Sequence, residues 1–364
     1  MSINVASTVR AAFSGDARPS GEAPRPPPAS ASPTAALVPA AVRLLRLHEV
    51  DATEDAARLL AGLLAEQARS DPKFFYDAQG SALFDAICHL DEYHPTRIET
   101  SIFEAHRAEI ARELPRGLQW VDLGAGDGAK ARDWLAAVAA SRYIGVDIAE
   151  AWLGPAVARI VDAHPGIDGV GAIADLSRPL ALAPLLAERP AAPPLFFYPG
   201  SSIGNFEPLR AVALLKSLRL LGTGHGGLGG LLIGVDCERD AARLEAAYDD
   251  ALGVTAAFNR NLLRVANRVL GADFDPRAWT HRAWFNVEES RIEMHLVAAR
   301  DQTVRFVQPH RAERAFAAGE HIVTEYSYKY SPASFGKLLD DAGFQSHRLW
   351  QDPARRFAVF LAQA

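Results

Sequence analysis

The chain has 364 residues, of which 49% are hydrophobic and 23% charged, and a formal net charge of −6. That is enough chain for two domains of ordinary globular composition. It excludes several classes of protein: no apolar run approaches the roughly 20 residues of a membrane span, and the acidic balance without a long basic stripe argues against a nucleic-acid partner. The two cysteines, Cys88 and Cys237, have neither metal-ligand nor disulfide-framework spacing.

Residues 1–40 are rich in Ala, Pro, Ser and Arg, with Pro24-Arg25-Pro26-Pro27-Pro28 among them. A segment of that kind cannot bury a core, so a disordered tail is expected, with order beginning near Ala41. Apolar spacing through Ala57, Leu59, Leu60, Leu63 and Leu64 predicts a helix over 53–68. An aromatic turn follows, Lys73 to Ser81, then a helix over 82–90. Pro95 stands near the start of a third helix that runs to Glu113. Tyr76, Phe84 and Tyr93 read either as core packing or as the wall of a substrate site.

The stretch around which the chain is organised is Val121-Asp122-Leu123-Gly124-Ala125-Gly126-Asp127-Gly128-Ala129-Lys130. A strand, 118–123, enters a glycine turn and then a helix, 131–138. Glycines at 124 and 126 let a ligand approach the backbone, and the helix start offers free N–H groups. Taken alone, the motif fits a nicotinamide dinucleotide, S-adenosylmethionine (SAM) or an ordinary strand–helix turn. The next strands sharpen the choice. Arg142 to Asp147 ends in an acid placed to bind ribose hydroxyls, and Val170 to Ile173 leads to Asp175, which can accept a bond from an adenine amino group. Two strand-end acids favour SAM.

A fourth strand, Leu195 to Tyr198, runs into Pro199-Gly200-Ser201-Ser202-Ile203-Gly204-Asn205-Phe206, a loop expected beyond the carboxyl end of the sheet, where ligands bind. Asn205 reads either as a ligand contact or as the cap of a following helix. Gly229 to Val235 is a fifth strand ending at Asp236. Residues 240–270 then read as long and helical. Strand patterns follow at 283–285, 291–296 and 303–306, in an insertion too long for a simple crossover. The run Ile322 to Tyr330 leads to a helix over 331–342 and two last strands, near 346–350 and 357–362.

Together these readings give an α/β fold: a Rossmann-like, seven-stranded SAM methyltransferase sheet with a second, smaller α+β domain. Residues 98–239 plus 326–364 are assigned to the sheet domain, and 41–97 plus 240–325 to the second domain. The cysteine usage points to a reducing cytoplasm.

Particular stretches carry a resemblance. They are Phe75-Tyr76-Asp77-Ala78 with Gly80-Ser81, Glu92-Tyr93 with Pro95-Thr96-Arg97, Asp122 to Gly126 and Pro199 to Asn205. Further ones are Tyr248-Asp249-Asp250 with Gly253 to Asn259, Arg291-Ile292-Glu293-Met294, and Thr324-Glu325 with Ser327 to Tyr330. On these the chain resembles the SAM-dependent L-histidine Nα-methyltransferases of ergothioneine biosynthesis, over roughly residues 50–364.

The resemblance implies three methyl transfers from SAM to the α-amine of L-histidine, giving hercynine, in a monomer that needs no metal. It implies that the second domain is substrate-binding, that Tyr93, Glu325 and Ser327 hold the imidazole and that Asn205 and Tyr248 hold the carboxylate. Tyr76 and Gly200 would lie at the amine as the catalytic pair, Phe84 and Met294 would line the pocket, and Gly124, Lys130, Asp147, Asp175 and Leu176 would contact SAM. Two positions depart from the family pattern: His94 stands where Tyr is usual, and Tyr326 where many members have Asn. They keep open the methylation of another amino acid or a biogenic amine. The glycine motif also leaves room for a SAM-binding scaffold without turnover and for a nicotinamide oxidoreductase.

Overall fold

The computed structural model describes residues 42–47, 52–224, 227 and 229–363; the expected tail, 1–40, and Ala41 lie outside the described residues. The strands in chain order are β1 (Arg43–Arg46), β2 (Gln119–Leu123), β3 (Arg142–Asp147), β4 (Asp168–Ile173), β5 (Pro194–Tyr198), β6 (Gly230–Asp236), β7 (Trp279–Asn286), β8 (Arg291–Ala298), β9 (Gln302–Phe306), β10 (Ala312–Phe316), β11 (His321–Tyr328), β12 (Ser346–Gln351) and β13 (Phe357–Gln363).

Eight of these form one sheet in the order β1-β4-β3-β2-β5-β6-β13-β12. β1 through β6 run parallel, and β13 lies antiparallel to both β6 and β12. The seven expected strands are present, and Arg43–Arg46 adds an eighth at the edge, paired with β4. That strand falls within the stretch assigned from sequence to the substrate domain, but it completes the large sheet.

The central strands β2, β5 and β6 are buried along their whole length, as a parallel sheet covered on both faces requires. The period of two distributes their side chains between two cores. Val121, Ile144, Phe196, Ile233 and Phe360 face one, with Leu214, Leu218 and Phe335 packed over them. Trp120, Tyr143, Phe197, Leu232 and Val359 face the other, against Phe103, Trp134 and Leu153. The covering helices include His94–Glu113, Ala129–Ala137, Glu150–Ala163, Pro208–Thr223 and Pro332–Asp341.

A separate apolar cluster draws only on residues 56–93 and 244–322. Its spine is the helix Val254–Leu270, which buries Phe258, Leu262, Leu263 and Val265. It packs beside the three-stranded antiparallel sheet β11-β8-β7, with β9 and β10 forming a hairpin of their own. The expected long helix over 240–270 is two helices, Ala241–Tyr248 and Val254–Leu270. The break is made by Asp250, whose carboxylate accepts bonds from the N–H groups of Val254 and Thr255 at 3.0 and 2.7 Å. The helix expected from Ala82 starts earlier, at Ala78, because the Asp77 carboxylate caps it through the Gly80 N–H at 2.8 Å.

Candidate active site

The order of the large sheet reverses between β2 and β5, so the loops leaving these two strands flank the crevice where α/β sheets bind ligands. Gly124, Gly126 and Gly128 leave β2 with φ of +70°, +54° and +74°, in the left-handed region that only glycine adopts without strain. Asp147 closes β3 and braces that turn. Its Oδ2 accepts the Gly126 N–H at 2.9 Å and its Oδ1 the Ala149 N–H at 2.8 Å. Beyond β4, Asp175 accepts from the Ser177 N–H at 2.8 Å, the Ser177 hydroxyl at 2.6 Å and the Lys73 ammonium at 3.1 Å. Burial alone would raise the Asp175 pKa, but these bonds and Lys73 outweigh it and hold the carboxyl below its usual value. Leu176, half-buried, packs on the adjacent core.

Lys130 and Gly200 meet through a residue that sequence reasoning missed. Glu99, buried on the helix His94–Glu113, accepts the Lys130 ammonium at 2.6 Å and the Gly200 N–H at 2.8 Å. It thereby ties the helix after β2 to the loop after β5. A Cβ on Gly234 of β6 would lie 1.9 Å from Glu99 Oε1, so the carboxylate occupies space that a glycine leaves open.

Next to this edge lies a cavity of about 500 Å³, its open mouth included. Nine of its lining residues are Tyr76, Phe84, Tyr93, Gly200, Asn205, Tyr248, Met294, Glu325 and Ser327, the same nine to which the family resemblance assigns amine, imidazole, carboxylate and wall. They come from five separate stretches of chain. Edge-to-face ring contacts connect the aromatic members: Tyr76 with Phe84 at 5.7 Å, Phe84 with Tyr93 at 6.3 Å, and Tyr93 with Tyr248 at 6.4 Å. Asn205 does not cap the next helix, whose cap position is Glu207. It ends the short turn Ser202–Asn205 and its amide faces Glu325 Oε2 at 3.4 Å.

A bulge aims Glu325. The pairing of β11 with β8 slips between Val323, opposite His295, and Glu325, opposite Met294. One extra residue, Thr324, moves Glu325 onto the Met294 face, and Ser327 follows it two residues later. Thr324 holds the bulge by donating its hydroxyl to the Met294 carbonyl at 3.0 Å. Tyr326 consequently lies on the opposite face, where the Arg291 guanidinium sits 3.7 Å above its ring.

Behind the cavity wall, Lys329 is buried with Asp236. Its ammonium lies 2.9 Å from Asp236 Oδ2 and donates to Tyr248 Oη and Ser327 Oγ, each at 3.0 Å. The two hydroxyls are 2.8 Å apart. The other Asp236 oxygen meets His94 Nε2 at 3.3 Å and the Glu238 N–H at 3.0 Å. Burial alone would raise the Asp236 pKa; Lys329 and His94 hold it far below the usual value. Glu325 behaves oppositely: burial pushes its pKa up to about 7, with Lys329 opposing only in part. Of the two departures from the family pattern, neither His94 nor Tyr326 is among the residues lining the cavity.

A glycine turn after the first central strand, acids closing the next two, and a partly open polar cavity beside them are the parts of a group-transfer enzyme that binds an adenosyl ligand and a small polar substrate. The family described as histidine-specific, SAM-dependent methyltransferases matches residues 55–364. A histidine N-alpha-methyltransferase of Mycolicibacterium smegmatis is 41% identical over 307 residues, 83% of this chain and 92% of that one. The one of Mycobacterium tuberculosis is 39% identical over the same shares. Ergothioneine biosynthesis protein 1 of Neurospora crassa is 29% identical over 290 residues, 76% of this chain but 31% of its own length. The chain belongs to the family of histidine-specific, SAM-dependent methyltransferases.

Proposed function

We propose that this chain transfers methyl groups from SAM to the α-amine of L-histidine, three in succession, to give hercynine for ergothioneine biosynthesis. The observation that carries the substrate is Glu325: a buried carboxylate, aimed by a bulge into the cavity, whose hydrogen-bond partner among the described residues is a single amide at 3.4 Å. A group so placed calls for a donor from the ligand, and an imidazole N–H supplies one. Ser327 and Tyr93 stand on the same cavity wall to receive the rest of the ring, and Asn205 and Tyr248 to take the carboxylate.

The strand-end residues fit SAM. Gly124 and Gly126 have open space where a Cβ would project, Asp147 and Asp175 offer carboxylate acceptors for ribose and adenine, and Lys130 offers a cation. When bound, SAM supplies an electrophilic methyl on a sulfonium. The chain itself must hold a neutral amine in line with that methyl. Tyr76 and Gly200 are the groups we place at the amine. Burial, with Glu325 next, holds the Tyr76 pKa far above its usual value, so its phenol is neutral and can hydrogen-bond an uncharged amine. A buried, aromatic-lined site disfavours the ammonium form by desolvation.

In this reading the cluster of 56–93 and 244–322 forms the substrate lobe, within the assigned segments 41–97 and 240–325, and the large sheet, β1 included, forms the SAM lobe. The free thiols of Cys88 and Cys237 support a reducing cytoplasmic setting, and the enzyme acts as a monomer. The test is incubation of the purified chain with SAM and each of the twenty amino acids, extended to a few biogenic amines. Trimethylhistidine is the expected product. Turnover of another amine in its place, or binding of SAM without any turnover, overturns the reading.

A further inference from the structure

We propose that Lys329, by holding the lone pairs of the Tyr248 and Ser327 hydroxyls, turns their O–H groups into the cavity, Tyr248 toward the carboxylate and Ser327 toward the ring, and so fixes which way round the amino acid lies. This rests on the reading of the cavity as the amino-acid site.

An ammonium has three N–H donors and no acceptor. Lys329 donates to Tyr248 Oη and Ser327 Oγ, each at 3.0 Å, and forms an ion pair with Asp236 at 2.9 Å. Both hydroxyl oxygens therefore use a lone pair on Lys329. When one hydroxyl also donates to the other across 2.8 Å, the remaining O–H has only the cavity to point into. When a ligand breaks that mutual bond, both O–H groups become available. Either way, what this corner presents is hydrogen, and it selects an acceptor. A substrate ammonium or amine placed here would oppose O–H dipoles with a buried cation behind them.

Charge reinforces the geometry. Asp236 balances Lys329, but it does not line the cavity, and its other oxygen is engaged by His94 and the Glu238 N–H. The positive end of the buried pair thus faces the two hydroxyls. At the Glu325 wall the cavity offers an acceptor. A small zwitterion is sorted between these groups: its carboxylate goes to Tyr248, and its amine is left toward Tyr76 and Gly200. Lys329 does not line the cavity; it is a positioning residue that acts through Tyr248 and Ser327.

The test compares L-histidine with L-histidinamide, which replaces the carboxylate by a neutral amide. Lys329→Met alone leaves Asp236 buried without its cation and is expected to lose melting temperature. The double variant Asp236→Asn/Lys329→Met removes both charges and is the informative protein. We expect it to regain most of that melting temperature and to keep its SAM Kd within about threefold of the parent. Its preference for histidine over histidinamide in kcat/KM should fall at least tenfold, mainly through KM. An unchanged preference in a folded, SAM-binding double variant overturns the proposal. Should the double variant not fold, Tyr248→Phe keeps both buried charges and must lower the same preference; failure to do so also overturns it. Absence of histidine turnover in the parent chain would instead sink the substrate reading, so the two failures are distinct.

Discussion

Two buried carboxylates, Asp236 and Glu325, are treated differently by the fold. Around Asp236, His94 and the Glu238 N–H meet Oδ1, the Lys329 ammonium lies 2.9 Å from Oδ2, and the carboxyl is held ionised. Around Glu325 the described partner is one amide at 3.4 Å, and burial pushes the pKa up to about 7. A satisfied buried ion belongs to the scaffold, because removing it strands its partner. An under-satisfied one keeps its capacity for a ligand. Depth of burial does not separate the two residues; the inventory of partners does.

The largest expected effect tests the scaffold side. Asp236→Ala strands the Lys329 ammonium and should cost roughly 3–5 kcal/mol in denaturant unfolding. Little or no loss would mean that the pair is not structural and would erase the contrast with Glu325.

On the ligand side, Glu325→Ala should raise the KM for histidine about 10- to 1000-fold, equivalent to roughly 1.4–4 kcal/mol of lost binding. The SAM Kd should stay nearly constant, since the SAM residues lie at the strand ends. A clearly lowered melting temperature with unchanged KM would turn Glu325 into a second scaffold residue.

The same residue should leave a mark on stability against pH. Glu325 has a folded pKa of about 7 against 4.5 unfolded, so the native state binds the extra proton in that window. Its contribution is fully present below about 4.5 and is lost as pH rises through about 7, a difference of about 3 kcal/mol. The groups facing it are Lys329, which opposes the shift, and the phenols of Tyr76, Tyr93 and Tyr248. Glu325→Gln should therefore melt higher than the parent at pH 8, with the gap closing toward pH 5. Asp236 has the opposite sign: its stabilisation is present above the unfolded carboxylate pKa and fails as pH falls through its depressed folded value. A parent melting temperature that rises from pH 5 to 8 by an amount Glu325→Gln leaves unchanged would contradict the assignment.

Glu99 extends the comparison to the SAM edge, as a second satisfied carboxylate. Gly234→Ala should force it from its place between Lys130 and Gly200, at a cost of about 1–3 kcal/mol from overpacking and with a weaker SAM Kd by calorimetry. A stable variant with unaltered SAM affinity would show that Glu99 positions neither group. The smallest effect is at the amine. Tyr76→Phe should lower kcat about fivefold, as expected for one neutral hydrogen bond of about 1 kcal/mol, with histidine KM nearly unchanged.

The large sheet was legible in the sequence because its signals are local. An apolar run, a glycine turn and an acid each act within a few residues, and β2, β3, β5 and β6 lie within a residue or so of where the pattern puts them. The aromatic and polar stretches at 76, 93, 205, 248 and 325 could be picked out one by one, with roles supplied by family resemblance. Lys329 was within reach too, since it falls on the alternation that carries Glu325 and Ser327. Glu99 left no such signal: a glutamate on an amphipathic helix looks solvated until the Gly234 backbone makes room for it.

What only the tertiary structure decided is which way the side chains point and which of them are satisfied. Strict alternation along β11 would put Val323 and Glu325 on one face, and the Thr324 bulge separates them. That bulge exists because β11 must register with β8, some 30 residues away. The partners of Asp236 come from positions 94 and 329, so its charge state depends on contacts that no local pattern encodes. The sequence by itself determined the sheet, the glycine turn and the residue types available for chemistry, because backbone preference and hydrophobic period operate at short range. Long-range packing distributed burial, charge and hydrogen-bond partners among those residues, and that distribution separates a carboxylate that holds the fold from one left open to a ligand.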